Sequence, residues 1–184
     1  NLTVAPKHIL YLCLNGYSFT CADPSQPAIT LTGEDSSKPA ELDLCDCIGT
    51  GTLGGSKASG GSIRIGAYTN ATLYGGTLTG NTVSRDGGAV SVTGGNSGFT
   101  MEGGTISGNT AKRGGGAYVD ICYIGYRNCR ITGNTATEAG GGLYLVPYAS
   151  AKRIDMGSVY GGGGTIAPYI YDNTVNSAQN NLYL

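Results

Sequence analysis

Thr105-Ile106-Ser107-Gly108-Asn109-Thr110-Ala111, followed after three residues by Gly115-Gly116-Ala117-Tyr118, decides the fold. The same hexapeptide opening stands upstream as Thr77-Leu78-Thr79-Gly80-Asn81-Thr82 and downstream as Arg130-Ile131-Thr132-Gly133-Asn134-Thr135, with a weakened copy at Ile170-Tyr171-Asp172-Asn173-Thr174. A glycine motif trails each copy: Gly87-Gly88-Ala89-Val90, Gly115-Gly116-Ala117-Tyr118, Gly141-Gly142-Leu143-Tyr144, and a decayed form over Gln179 to Tyr183. The asparagines step by 28 (109 − 81), 25 (134 − 109) and 39 (173 − 134), the last step lengthened by an insertion around Ser150 to Pro168. A repeat of about 27 residues fits several solenoids, so its contents must choose among them. Leucine-rich repeats need a leucine ladder and a helical return, which are missing. A propeller blade needs about 40 residues or more. Calcium-binding nonapeptide rolls need an Asp in each glycine turn, and Gly114-Gly115-Gly116 and Gly140-Gly141-Gly142 carry none. Three short strands per coil, cornered at Gly and Asn-Thr, remain.

Alternation agrees with that choice. Leu10, Leu12 and Leu14 alternate with Tyr11 and Cys13; Ile29 and Leu31 flank Thr30; Leu42 and Leu44 flank Asp43. Ile63 and Ile65 flank Arg64, Leu143 and Leu145 flank Tyr144, and Leu182 and Leu184 flank Tyr183. Period two sends each apolar set inward and its partners outward. One coil resists: Val90 and Val92 have the wrong parity in the motif alignment, which predicts either a one-residue register shift or a bulge there. The expected fold is all-β, a right-handed single-stranded parallel β-helix of about seven coils, on the order of 30 Å long at the usual strand spacing. It forms one domain over 1–184, with opening coils at 1–48 and glycine-rich coils at 49–184. Insertions fall near 120–130 and 146–168.

Composition points the same way. Of 184 residues, 33 are Gly and only 12% are charged, which leaves little scope for long helices or for disorder by charge repulsion. The net charge of −1 gives no electrostatic case for nucleic acid. No apolar run approaches the roughly 20 residues that span a bilayer. No secretory signal is present in a chain opening at Asn1, and neither end carries a cap, as solenoid ends normally do. The expectation is a piece of a longer solenoid or a unit that stacks end to end.

Six cysteines, an even number in a glycine-rich chain, suggest an oxidising, extracellular setting. Cys122 and Cys129 bracket a short loop and form the best candidate disulfide. The connectivity of Cys13, Cys21, Cys45 and Cys47 stays open. A metal site at Cys45-Asp46-Cys47 is the sharper alternative, disfavoured because the chain has one His and no second Cys-x-Cys. No cofactor or metal is therefore expected.

Ile106-Ser107-Gly108-Asn109-Thr110-Ala111 with Gly115-Gly116-Ala117-Tyr118 resembles the repeat of bacterial surface β-helix proteins, and is similar to the paired motifs of chlamydial polymorphic membrane proteins. Leu12-Cys13-Leu14-Asn15-Gly16-Tyr17 and Leu42-Asp43-Leu44-Cys45-Asp46-Cys47 resemble the opening coils of large surface proteins of gut Firmicutes. The resemblance spans nearly the whole chain. It implies the pectate-lyase-like superfamily fold, an extracellular or bacterial cell-surface address and, by analogy with the chlamydial proteins, adhesion. Ile or Leu stands here where the chlamydial motif has Phe.

Asn81, Asn109, Asn134 and Asn173 read as a structural ladder, each at a corner where left-handed geometry and coil-to-coil hydrogen bonds suit an asparagine. Tyr118, Tyr144 and Tyr183 share one outward motif position and form a candidate glycan- or protein-binding stripe, together with Arg127, Arg130, Lys152 and Arg153 on the insertions. An aromatic ladder that only steadies neighbouring strands is the plainer reading of the tyrosines. Arg85-Asp86, Lys112-Arg113 and Thr137-Glu138 occupy one turn in successive coils and should stack as a solvated, mixed-charge ridge.

Catalysis of the polysaccharide lyase or hydrolase kind would have to draw on Asp120, Tyr123, Arg127, Arg130, Lys152, Arg153 and Asp155. No neighbouring coils offer carboxylates at matching strand positions, as paired-carboxylate hydrolysis requires. A threonine ice-binding face at Thr77, Thr79, Thr105 and Ser107 is interrupted by Arg130. The expected role is thus a non-catalytic, extracellular adhesion segment that recognises a glycan or a host or neighbouring cell-surface protein. A stalk or end-to-end filament subunit is the main alternative.

Overall fold

The computed structural model describes residues 1–120, 123–126, 129–146, 154–155 and 169–183. The chain runs as a parallel β-solenoid with no helix among those residues. The first coil holds β1 (Leu2–Val4), β2 (Ile9–Cys13) and β3 (Ser18–Thr20). The second holds β4 (Ile29–Leu31), β5 (Ala40–Cys45) and β6 (Thr52–Gly54), and the third β7 (Ile63–Ile65), β8 (Thr69–Leu73) and β9 (Thr77–Thr79). The fourth adds an extra strand: β10 (Val90–Val92), β11 (Gly98–Met101), β12 (Thr105–Ser107) and β13 (Thr110–Arg113). The fifth repeats that plan with β14 (Ala117–Val119), β15 (Tyr123–Tyr126), β16 (Arg130–Thr132) and β17 (Thr135–Ala139). Beyond it lie β18 (Leu143–Leu145), β19 (Ile154–Asp155), β20 (Tyr169–Tyr171), β21 (Thr174–Val175), β22 (Ala178–Gln179) and β23 (Leu182–Tyr183).

Strands stack coil on coil into four sheets, ordered β1-β4-β7-β10-β14-β18-β23, β19-β15-β11-β8-β5-β2, β20-β16-β12-β9-β6-β3 and β13-β17-β21-β22. Two expectations need correction. Five full circuits are described, with a partly described sixth and the single strand β23 of another, rather than seven coils. The segments holding Lys112-Arg113 and Thr137-Glu138 are not simple turns: Thr110–Arg113 and Thr135–Ala139 pair as strands of a fourth sheet, with a register irregularity between Ala111 and Arg113. Three strands per coil therefore holds only for the first three coils.

The core follows the alternation. In the first sheet Ile29, Ile63, Val90, Ala117 and Leu143 form one inward row, and Leu31, Ile65, Val92, Val119 and Leu145 a second, all buried. The second sheet contributes Leu42, Ala71 and Phe99 beside Leu44, Leu73 and Met101, and the third Leu53, Leu78, Ile106 and Ile131. Fully burying one such side chain is worth about 1.5–3 kcal/mol. In the first coil Leu2 and Phe19 are about half exposed, because each has a stacked neighbour on one side only.

The parity conflict at Val90 resolves as a register shift. Val90 pairs with Ile63 and Ala117, and Val92 with Ile65 and Val119, with no bulge in either ladder. Relative to the Gly-Gly motif the strand has slid by one residue, which keeps both valines inside and turns Ser91 outward.

Candidate functional site

The outward row of the first sheet reads Thr30, Arg64, Ser91, Tyr118, Tyr144, Tyr183 from coil to coil. Its three tyrosines do stack. The Tyr118 and Tyr144 ring centroids lie 5.4 Å apart at 7°, and those of Tyr144 and Tyr183 lie 4.7 Å apart at 5°. The faces are largely spent on one another: Tyr118 and Tyr144 are each only 8% exposed, and only Tyr183 is open. The Arg113 guanidinium sits 5.3 Å from both the Tyr118 and Tyr144 centroids, a cation–π contact that fixes the ladder laterally. Burial raises the Tyr118 hydroxyl above its ordinary pKa. The stripe is thus an internal support that points away from the core, not an open platform.

Arg113 also holds Asp86 from the previous coil in a two-pronged pair, Nε to Oδ1 at 2.9 Å and Nη2 to Oδ2 at 2.6 Å. That carboxylate raises the Arg113 pKa further above its already high ordinary value. Lys112 reaches Glu138 at 3.1 Å across the next interval. The expected charged ridge therefore exists, but as specific coil-to-coil ion pairs.

Where the tyrosine row stops, a cleft opens. Ser91 stands between Arg64 and Tyr118, and a short side chain between two long ones leaves a notch two strand spacings wide, about 9–10 Å. The cleft encloses about 530 Å³; its walls are Lys57, Arg64, Arg85, Asp86, Tyr118 and Asp120, with Ser91 as the floor. Arg64 is steadied by donating from Nε and Nη2 to the Ser59 carbonyl, at 3.2 and 2.9 Å. Three cationic side chains face two carboxylates, and one of those is already held by Arg113. Such a surface suits an anionic or richly hydroxylated ligand.

The other sequence candidates distribute differently. Arg130 lies on the third sheet beside exposed Tyr169 and Tyr171, where it lines a separate depression, and does not join the tyrosine row. Arg127, Lys152, Arg153 and Cys122 lie outside the described residues, as do the side chains of Tyr123 and Asp155. Cys129 is buried and its thiol is pushed up to about 12 by desolvation. No disulfide joins the described cysteines. Cys21 is set apart, its Sγ near the Gln26 carbonyl at 3.2 Å, while Cys13, Cys45 and Cys47 gather at one place on the surface.

The asparagines form a buried ladder. Nδ2 of Asn81 donates to Oδ1 of Asn109 at 2.8 Å, Asn109 to Asn134 at 2.9 Å, and Asn134 to Asn173 at 2.9 Å. Each Oδ1 also accepts the backbone N–H of the preceding asparagine, at 3.2, 3.1 and 3.0 Å. The left-handed residue is not the asparagine but the one before it: Gly80, Gly108, Gly133 and, in the fourth copy, Asp172.

Nothing local in the sequence marks Lys57, Arg64, Arg85 and Asp86 as lining one cleft. The available signal was the parity conflict at Val90, since the same shift that buries the valines turns Ser91 outward and opens the notch. No family model, curated protein or solved structure matches the chain.

Proposed function

We propose that the solenoid is a non-catalytic recognition segment of a secreted or cell-surface protein, and that its cleft beside Tyr118 binds an anionic glycan. The carrying observation is the cleft's polarity: Lys57, Arg64 and Arg85 line it together with Ser91, on a stack of paired strands. Guanidinium groups pair with planar carboxylates and sulfates through two parallel hydrogen bonds, and the Ser and Thr hydroxyls suit sugar hydroxyls. The address rests on the glycine-rich, weakly charged composition and on the resemblance to bacterial surface β-helix repeats. The finer kinship, to the pectate-lyase-like superfamily and the chlamydial polymorphic membrane proteins, belongs to this same reading. Fold-level analogy alone does not assign a role.

Asp86 and Asp120 border one cleft, so hydrolysis by paired carboxylates has to be weighed. That chemistry needs one carboxyl to donate a proton and the other to attack or activate water. Both oxygens of Asp86 are engaged by Arg113, which favours binding over turnover.

The test is retention on an array of uronate-bearing, sulfated and neutral glycans. Acidic glycans should be held, more weakly as salt rises, without unsaturated or reducing-end products. Arg64→Ala and Arg85→Ala should each weaken retention about tenfold or more, the loss expected for one charge-assisted contact. Release of cleaved sugar would replace this reading with an enzymatic one. A blank array together with rods seen by electron microscopy would replace it with the stalk or filament.

A further inference from the structure

Cys13 ends β2 and Cys45 ends β5, and the two are direct partners in the parallel ladder, side by side on the outer face. Cys47 returns to them across the Cys45-Asp46-Cys47 turn, its Sγ 3.0 Å from that of Cys13. All three sulfurs lie within 4.8 Å of one another. Asp46 fixes the turn from behind. Its Oδ1 accepts the Gly16 N–H at 2.7 Å and its Oδ2 the Gly51 N–H at 2.6 Å, tying the second coil to the turn after β2.

We propose that Cys13, Cys45 and Cys47 form a three-thiolate site for a single thiophilic d10 cation, Zn2+ with water as a fourth ligand or three-coordinate Cu+. Metal–sulfur bonds of about 2.3 Å at tetrahedral angles separate the sulfurs by about 3.8 Å, within an ångström of the present spacing. Soft thiolates select these ions over Mg2+ or Ca2+. A Cys13–Cys47 disulfide is the competing fate of the same atoms. It would use two sulfurs and leave Cys45 idle beside them, whereas one cation engages all three. On binding, each S–H bond gives its proton to solvent as an S–metal bond forms, and no electrons are transferred. A fourth ligand from the protein is not required: catalytic and transport sites leave that position to water or substrate. The site lies on the second sheet and is independent of the glycan reading.

The experiment uses the full chain, reduced and kept free of oxygen. Titration with Co2+, as the optical probe for Zn2+, should give a sulfur-to-cobalt charge-transfer band that saturates at one equivalent and is displaced by Zn2+. Cu+ delivered from a weak chelator forms the second arm, and the tighter of the two names the ion. Cys45→Ser and Cys47→Ser should each weaken binding by about a hundredfold or more, since loss of a group that merely orients a ligand already costs about tenfold to a hundredfold, while Cys21→Ser leaves it unchanged. Alkylation mapping of the unmodified chain guards against variants that misfold: bound metal should protect Cys13, Cys45 and Cys47 together. The proposal fails if neither ion saturates, if binding survives the Ser variants, or if Cys13 and Cys47 are recovered as a disulfide whose reduction restores no metal uptake.

Discussion

Asp172 stands where the three better copies of the motif have glycine, and it adopts the same left-handed backbone, φ 53° against 71°, 63° and 62° at Gly80, Gly108 and Gly133. An L-residue with a Cβ pays about 1–2 kcal/mol there, less for Asp or Asn, whose short polar side chains bond locally. A Cβ at Gly133 would touch nothing within 4 Å, so strain can be tested there without a clash. Gly133→Ala should cost about 1 kcal/mol, and Gly133→Asn less than that although Asn is larger. Urea melts giving the opposite order would remove backbone strain as the reason for the motif glycine. The next residue carries a different burden. Asn109 accepts two bonds from Asn81 and donates to Asn134 and to the Leu78 and Ser107 carbonyls, all but the last of them buried. Asn109→Ala orphans several buried groups at about 1–3 kcal/mol for each one left unsatisfied. A loss of about 2–4 kcal/mol is expected, and a value within the roughly 0.5 kcal/mol typical of surface changes would mean that water replaces the ladder.

At the scale of the strand, β18 allows inward and outward faces to be compared within three residues. Leu145 is buried in the apolar interior, and Leu145→Ala should destabilise by about 2–5 kcal/mol. Alternation alone assigns Tyr144 to the outside and predicts a small cost for Tyr144→Ser. The structure revises that, because Tyr144 is clamped between the rings of Tyr118 and Tyr183 and capped by Arg113. Tyr144→Ser should cost about 2–4 kcal/mol, since stacking adds to area burial, whereas Tyr183→Ser, at a ring 41% exposed, should cost about half as much. Equal costs for the two tyrosines in denaturant melts would mean that the ladder carries no stability. What was legible at this scale is instructive. Leu143 and Leu145 declare their side because the strand period is two, and each coil restates it. The fourth sheet was not legible: Lys112-Arg113 and Thr137-Glu138 look like solvated turns, and only pairing across 25 or more residues makes them strands. Cys13 likewise sits 32 residues from Cys45 (45 − 13), a separation at which no local spacing rule operates.

In the whole molecule, stacking turns one residue's choice of register into a surface. Gly87, Gly114 and Gly140 all have positive φ, and each stands four residues before its member of the outward row: Ser91, Tyr118 and Tyr144. At each glycine a Cβ would strike the carbonyl of the residue three ahead, Val90, Ala117 or Leu143, so the three corners share one backbone geometry. A tyrosine at position 91 would therefore enter the row as its neighbours do, one strand spacing from Tyr118 and on the side of that ring away from Tyr144. Ser91→Tyr should extend the ladder and stabilise the solenoid by about 0.5–1.5 kcal/mol, the worth of one stacked aromatic pair. The same ring would fill the notch between Arg64 and Tyr118 and abolish retention of acidic glycans. Stability and binding should thus move in opposite directions, as where a site is an omission from an otherwise regular packing. Calorimetry and the glycan array read the two effects separately. A lowered melting temperature would show that the row cannot be continued past Tyr118, and undiminished retention by a stabilised variant would place the binding surface elsewhere on the solenoid.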